Sequence, residues 1–451
     1  MIQISIPSNF SAERCYIIDI LLEEFLGLKY EIAIKEDVHN YILRLENGSE
    51  LIVEDHFFGH FSDGLSYLDE KNIPSAIKLF QNPFDTTEPI PILYGNDKCE
   101  ASPRRIVCGL DIFASSFFML SRWEEFTVKQ RDNHNRFSAK SSLAFRYNFL
   151  GRPIVNEYTE VLWNMLKYLE IQQEKKERKF ELLLTHDVDI LKYWKNIGGF
   201  FKEMAGDVIK RRDLKLFFDN LTSFSLTKLR LQNDPFDTFD YLMTISERFN
   251  TKSYFFFMSG GLSPYDRRYD ILSKPIESLI QKINKRGHRI GMHPSYESYN
   301  NAAIWREEYA KLSKAFPQPI RIGRQHYLRF EVPTTWQIWE DNGMEWDSTL
   351  GFAEREGFRC GVCYEYSVFN IIARKKLNLK EKPLVAMERN FVHYQKVTSE
   401  YMKNKLCELI NIVKRYNGSF VFLWHNSSFN VPEWKNYQNN YLEVLNFTHR
   451  I

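Results

Sequence analysis

Asp187 and Asp189 stand two residues apart in THDVD, and His293, Arg324, His326, Asp347 and His425 follow, each at the end of a short apolar run. Two carboxylates at i and i+2 leaving a strand share one face, so one could hold a metal ion while the other stays free as a base. A divalent ion held by a carboxylate and imidazoles, with positions left open, polarises a carbonyl and lowers the pKa of bound water towards ~7. That is machinery for hydrolysing an amide or an ester. Taken singly, each residue is more simply read as structural: a lone His at a strand end usually satisfies a neighbour, and Asp-x-Asp is common in turns. Recurrence at the ends of five separate runs carries the chemical reading.

The elements that would position these residues are visible as alternation. FELLLTHD, KSYFFFMS, HRIGMH, IRIGRQH, MEWDST, PLVAMER and SFVFLWHN are short apolar runs ending in polar or ionisable residues. Between them lie helix-like segments such as TFDYLMTISERF, PIESLIQKINKRG and KNKLCELINIVKRY. Strands alternating with helices predict a parallel barrel or a doubly wound sheet, with side chains at the strand carboxyl ends converging on one face. This unit is expected to span 180–451. The polar stretch Ile171 to Lys179 marks the junction with a smaller mixed α/β or α+β domain, 1–179, in which YILRLENGSELIVED reads as a hairpin turning at Asn47-Gly48. Between Leu191 and Leu231, nine Lys and Arg accompany four Asp and Glu among several Phe. This segment reads as inserted amphipathic helices, either packed on the barrel or resting on a membrane surface.

Composition removes several classes. The 451 residues carry 60 Lys and Arg against 58 Asp and Glu, a net charge of +2, without the cationic excess of a chain that coats a nucleic acid. No window is apolar for the ~18 residues of a spanning helix, and the start MIQISIPSNFSAERC lacks a basic region followed by an apolar one. A cytoplasmic location is expected. Six cysteines in so long a chain read as free thiols, the Cys360–Cys363 pair included.

The order THDVD, GHRIGMHPSYES, GRQHY, EWDSTLGF and FLWHN resembles the five motifs of the polysaccharide deacetylase family, the family 4 carbohydrate esterases, over about 180–451. The resemblance implies a distorted (β/α) barrel that uses one divalent ion, zinc foremost, to remove an acetyl group from an N-acetylated sugar. Asp187 then corresponds to the catalytic base, Asp189 to the metal-binding aspartate, His293 to the first metal histidine and His288 to a structural histidine. Arg324 corresponds to the arginine that orients the base, His425 to the general acid, and Asp347 to an acidic residue expected beside it.

Two motifs depart from the family. The second has Glu297 where another histidine is usual, and the third has His326 where proline is usual, so Glu297 and His326 are alternatives for the third ligand. Trp424, Trp346 and Tyr327 adjoin motif residues and are expected to line a sugar pocket. DIFASSFFMLSRWEE with RPIVNEYTEVLW resembles an accessory domain that accompanies some deacetylases of bacterial surface-polysaccharide clusters. The expectation is therefore a deacetylase acting on a precursor of such a polysaccharide. The missing second-motif histidine keeps two alternatives open: a degenerate carbohydrate-binding or scaffold protein, or an amidohydrolase of a non-sugar amide.

Overall fold

Alternating burial in IQISIP, with Ile2, Ile4 and Ile6 inward, begins a six-stranded sheet in the computed structural model. Residues 1–449 are described, apart from 86–87, 195–196, 206–208, 210–211, 267–268 and 317. The strands are β1 (Ile2–Pro7), β2 (Tyr30–Lys35), β3 (Tyr41–Arg44), β4 (Glu50–Val53), β7 (Gly95–Ser102) and β8 (Arg105–Leu110), in the order β2-β1-β3-β4-β8-β7. A separate two-stranded ribbon pairs β5 (Lys78–Phe80) with β6 (Ile90–Ile92). The expected hairpin is present. β3 and β4 pair antiparallel, and Gly48 takes the left-handed conformation at φ 82° that the tight turn requires.

From 181 onward a second sheet has nine strands. They are β9 (Glu181–Val188), β10 (Ser253–Phe257), β11 (Arg289–Met292), β12 (Ile322–Gly323), β13 (Trp346–Asp347), β14 (Tyr366–Asn370), β15 (Lys375–Glu381), β16 (Ala386–Met387) and β17 (Ser419–Leu423). Their order is β14-β15-β13-β12-β11-β10-β9-β17-β16. All neighbours run parallel except β14 against β15. The expected α/β class is observed. Closure into a barrel is not: among the described residues β14 and β16 remain edges, and the sheet is open. The strand order reverses at β9, which has β10 on one side and β17 on the other, and ligands of open α/β sheets bind at such a reversal.

Within the insertion, helices run over Ile197–Ala205 and Leu214–Lys228, and parts of it lie outside the described residues. Among the described residues no helix is long and apolar enough to cross a membrane. The six cysteines are free; Cys360 and Cys363 are buried, which pushes their thiols up, as expected of packed rather than reactive groups.

One apolar core runs continuously through both sheets, and polar contacts cross between them. Tyr16 Oη donates to the Ser367 carbonyl at 2.9 Å, and the Val155 N–H to the Gly361 carbonyl at 2.8 Å. The strongest link is ionic: Arg359 grips buried Glu125 through two hydrogen bonds of 2.9 and 2.5 Å, with Arg122 Nε at 2.9 Å on the same carboxylate. Burial alone would raise Glu125, but the two guanidinium groups bring it down to about 2. A depressed carboxyl contributes stability that is full above its unfolded value of about 4.3 and is lost as pH falls towards 2. Glu125→Gln leaves two buried cations short of their anion and is expected to cost about 3–5 kcal/mol at neutral pH. Urea unfolding measures it; an unchanged midpoint would show that the crossing is not held by this contact.

Candidate metal centre

The parallel strands bring the singled-out residues to one end of the sheet. Asp187 is in β9 and Asp189 just beyond it; His293 follows β11, Arg324 and His326 follow β12, and His425 follows β17. Apolar runs form these strands because both faces are covered, and polarity resumes towards their carboxyl ends, in β9 already at Thr185. Asp189, His293 and His326 are buried and offer one ligand atom each, all within 4.8 Å of one another. His293 Nε2 lies 3.2 Å and His326 Nε2 3.6 Å from Asp189 Oδ1. That oxygen is buried and accepts no aligned hydrogen bond.

The histidines are fixed from behind. His293 Nδ1 donates to the Arg324 carbonyl at 2.7 Å, and His326 Nδ1 to Asp266 Oδ1 at 3.1 Å. With Nδ1 carrying the proton, each Nε2 presents its lone pair towards Asp189, the arrangement usual for metal-bound imidazole. A carboxylate with two imidazoles, positions left open and an orphaned carboxylate oxygen at the centre fits a divalent metal ion. Burial works against charge on Asp189, yet His293, His326, His425 and Arg389 together hold it well below the usual carboxylate range. Burial lowers both histidines, but Asp187 and Asp189 raise His293 overall, whereas His326 stays lowered.

Two further groups flank this set. Arg324 is fully buried and donates to Asp187 Oδ1 and Thr185 Oγ1, both at 2.9 Å, while Ser348 receives its other nitrogens at 2.8 and 3.0 Å. Asp187 Oδ2 stays 3.8 Å from His293 Nε2. On the far side, His425 Nδ1 donates to Glu388 Oε1 at 2.6 Å, and Nε2 faces Asp189 Oδ2 at 3.7 Å. Burial would raise Glu388, but His425, Arg389 and Ser428 pull it down to about 2.

Several expectations are placed differently. Glu297 is exposed, 3.3 Å from Arg329, outside the cluster; of the two alternatives, His326 is the one that joins Asp189 and His293. Asp347 is not the partner of His425. Its Oδ1 accepts from Thr349 Oγ1 at 2.5 Å, and burial, next to Glu381, pushes it up to about 7. Trp424 is fully buried among Phe429, Trp434 and Tyr441, because strand alternation turns Leu423 and His425 to the cavity and the residue between them away. Trp346 packs on Tyr254 and Phe256 and lines a different cavity, with His288 and Arg289. Tyr327 does reach the site, on a turn held at φ 61°. His288 is structural, accepting the Ser253 N–H at 3.0 Å.

Four participants were not singled out from sequence. Glu388 and Arg389 end the run PLVAMER, so the run-end rule that found the others could have found them. Asp266 lies in an irregular loop, and Arg136 reaches over from the first 170 residues; neither had a periodic signal. Arg136 donates to the Tyr327 carbonyl at 2.9 Å and pairs with Asp132. The cavity lined by Asp187, Asp189, His293, His326, His425, Arg389 and Arg136 has a volume of about 180 Å3. That is less than the roughly 300–1,000 Å3 of pockets that swallow a whole ligand. It suits a small group projecting from a larger molecule.

Residues 2–170 match a family of unknown function (DUF7033). No curated protein matches the chain. Among solved structures the chain is similar to a putative polysaccharide deacetylase from Mycobacterium smegmatis, at 14% identity and TM-score 0.38, covering 60% of this chain and 84% of that one. It is also similar to a probable polysaccharide deacetylase from Pseudomonas aeruginosa PAO1, at 9% identity and TM-score 0.36, covering 62% and 90%.

Proposed function

We propose that the chain is a metal-dependent hydrolase that removes the acetyl group from an N-acetylated saccharide, a precursor of a bacterial surface polysaccharide. The observation that carries this reading is the buried Asp189, His293 and His326 set, flanked by Asp187 with Arg324 on one side and His425 with Glu388 on the other. The motif order seen in the sequence points the same way. In this reading 180–451 form the hydrolase unit and 1–179 an accessory unit that lends Arg136 to the cavity wall.

Asp189, His293 and His326 would hold a zinc-like ion, which when bound supplies Lewis acidity towards a carbonyl and lowers the pKa of a water. The chain's own groups do the rest. Asp187, oriented through Oδ1 by Arg324, takes the proton of the attacking water at Oδ2. His425, with its ring fixed at Nδ1 by Glu388, faces the cavity through Nε2 and passes a proton to the departing amine nitrogen. Arg389 lies 3.3 Å from Asp189 Oδ2 on the cavity wall, a fixed positive charge beside the place where negative charge develops on the carbonyl oxygen. The small cavity admits the acetamido group, while the sugar stays at its mouth beside Tyr327 and Tyr394.

The reading is tested by acetate release from a panel of N-acetylated mono- and oligosaccharides. Release is expected with the zinc-loaded protein, to disappear after dialysis against a chelator and to return on adding Zn2+. Release that survives chelation, or none from any member of the panel with metal bound, would end it.

A further inference from the structure

The insertion after β9 carries more apolar surface than its own small core buries. Inward, Trp194, Phe200 and Met204 form a small core of their own, separate from the main one, with Phe217 and Phe224 packed against it; the Phe200 and Phe224 rings stack at 4.0 Å. Leu214, Phe218 and Leu221 fall at i, i+4 and i+7 of the helix Leu214–Lys228, so they form one stripe that adjoins the half-buried Phe217 and Phe224 and continues round to solvent. They are 65%, 61% and 37% exposed, and Phe201 on the preceding helix is 64% exposed. Leu229 and Leu231 extend the patch past the helix end. Folded chains bury large side chains where they can, and contiguous apolar surface of this kind marks an interaction site.

Charge selects the occupant. Leu191 to Leu231 holds nine Lys and Arg against four Asp and Glu in a chain whose net charge is only +2, so the rest of the molecule is net acidic. Lys215 stands beside Leu214, and Arg230 stands between Leu229 and Leu231; all are exposed. An anionic bilayer uses both features: acyl chains take Leu and Phe, and headgroups take Lys and Arg.

The hairpin is anchored at the candidate site. Asp234 receives the backbone N–H groups of Tyr193 and Trp194 at 2.7 and 3.0 Å, closing the loop on itself. Asn426, next to His425, donates to the carbonyls of Ile190 and Phe236 at 2.9 Å each, on either side of the insertion. The stretch after β10, at the same end of the sheet, carries Leu262, 86% exposed. We propose that the exposed face of the helix Leu214–Lys228, with Phe201, Leu229 and Leu231, rests on an anionic lipid bilayer, with the strand carboxyl ends, and so the site mouth, turned towards that surface. If the proposed function holds, the saccharide reaches the site at the membrane rather than from bulk solution. Bilayer contact itself is independent of that reading.

Sedimentation with vesicles tests it without any activity. The full chain is expected to pellet with phosphatidylcholine vesicles containing about 30% phosphatidylglycerol, at least about tenfold more than with phosphatidylcholine alone, and to be released by about 0.5 M salt. The triple variant Leu214→Ser, Phe218→Ser, Leu221→Ser, all at exposed positions, should lose at least about tenfold in vesicle binding with an unchanged circular dichroism spectrum. Lys215→Glu with Arg230→Glu should weaken binding in the same way while leaving the stripe intact. Failure of the full chain to pellet with anionic vesicles, or equal pelleting by both variants, would overturn the proposal. So would a concentration-dependent dimer abolished by the triple variant, which would assign the face to a second copy of this chain.

Discussion

Asp187→Asn is expected to lower acetate release by about 10^3-fold while leaving the metal content of the protein unchanged. The side chain is isosteric, and its carbonyl oxygen still accepts from Arg324, which holds Oδ1 at 2.9 Å and is itself fixed by Thr185 and Ser348. What the amide cannot do is take a proton from water. General base catalysis is worth about 10^2 to 10^4, and the substitution removes that alone, because Asp187 lies outside the cluster of candidate ligands. The rate should therefore fall in kcat, with KM little changed. The measurement is acetate release by zinc-loaded variant and parent at saturating substrate, with metal counted in the same samples. A variant that keeps its rate within a few fold would remove Asp187 from the chemistry. One that loses metal together with rate would move it into the ligand set.

The sequence was most legible where a strand is covered on both faces. SFVFLWHN and FELLLTHD turn from apolar to polar towards their carboxyl ends, so those ends mark the edge at which Asp187, Asp189 and His425 meet. Which residues meet within that edge was less legible. Asp347 and Glu388 both sit at strand ends, and only the order of strands separates them: β16 lies beside β17, which puts Glu388 against His425, whereas β13 is five strands away from β17 and buries Asp347 beside Glu381. A chain read in one dimension carries no strand order. The tryptophans show the same limit on a shorter scale. Adjacency to His425 placed Trp424 near the site in sequence, but in a strand the neighbouring residue faces the other way. Glu297 and His326 are both acceptable donors chemically, with His326 restoring a two-histidine, one-carboxylate set. They differ in what stands behind them: Asp266 fixes the ring of His326, while Glu297 reaches solvent and Arg329.

That difference underlies the second large effect. Asp189→Ala should abolish stable metal binding, and Glu297→Gln should leave it untouched. Asp189 is the anion of the cluster: both Nε2 atoms converge on its Oδ1, and that oxygen accepts no aligned hydrogen bond. A buried carboxylate oxygen left in this way costs stability unless something satisfies it, and an ion between Asp189, His293 and His326 would do so. Losing a residue that merely supports a ligand costs about 10- to 100-fold in metal affinity. Removing the carboxylate itself should exceed that, and acetate release should fall with it to the level of the chelated parent. Glu297 is exposed and joins Arg329 rather than the cluster, so its amide variant should match the parent in affinity and rate. Competition with a chromophoric zinc chelator reads the affinities, and elemental analysis reads the stoichiometry. If Glu297→Gln lowers zinc affinity as much as His326→Ala does, the third ligand comes from the second motif after all. The loop carrying Glu297 would then have to swing inwards when the ion binds, breaking its contact with Arg329. If Asp189→Ala still binds one ion with the parent's affinity, the metal site lies elsewhere, and Asp189 is simply a buried anion that balances Arg389 and the surrounding imidazoles.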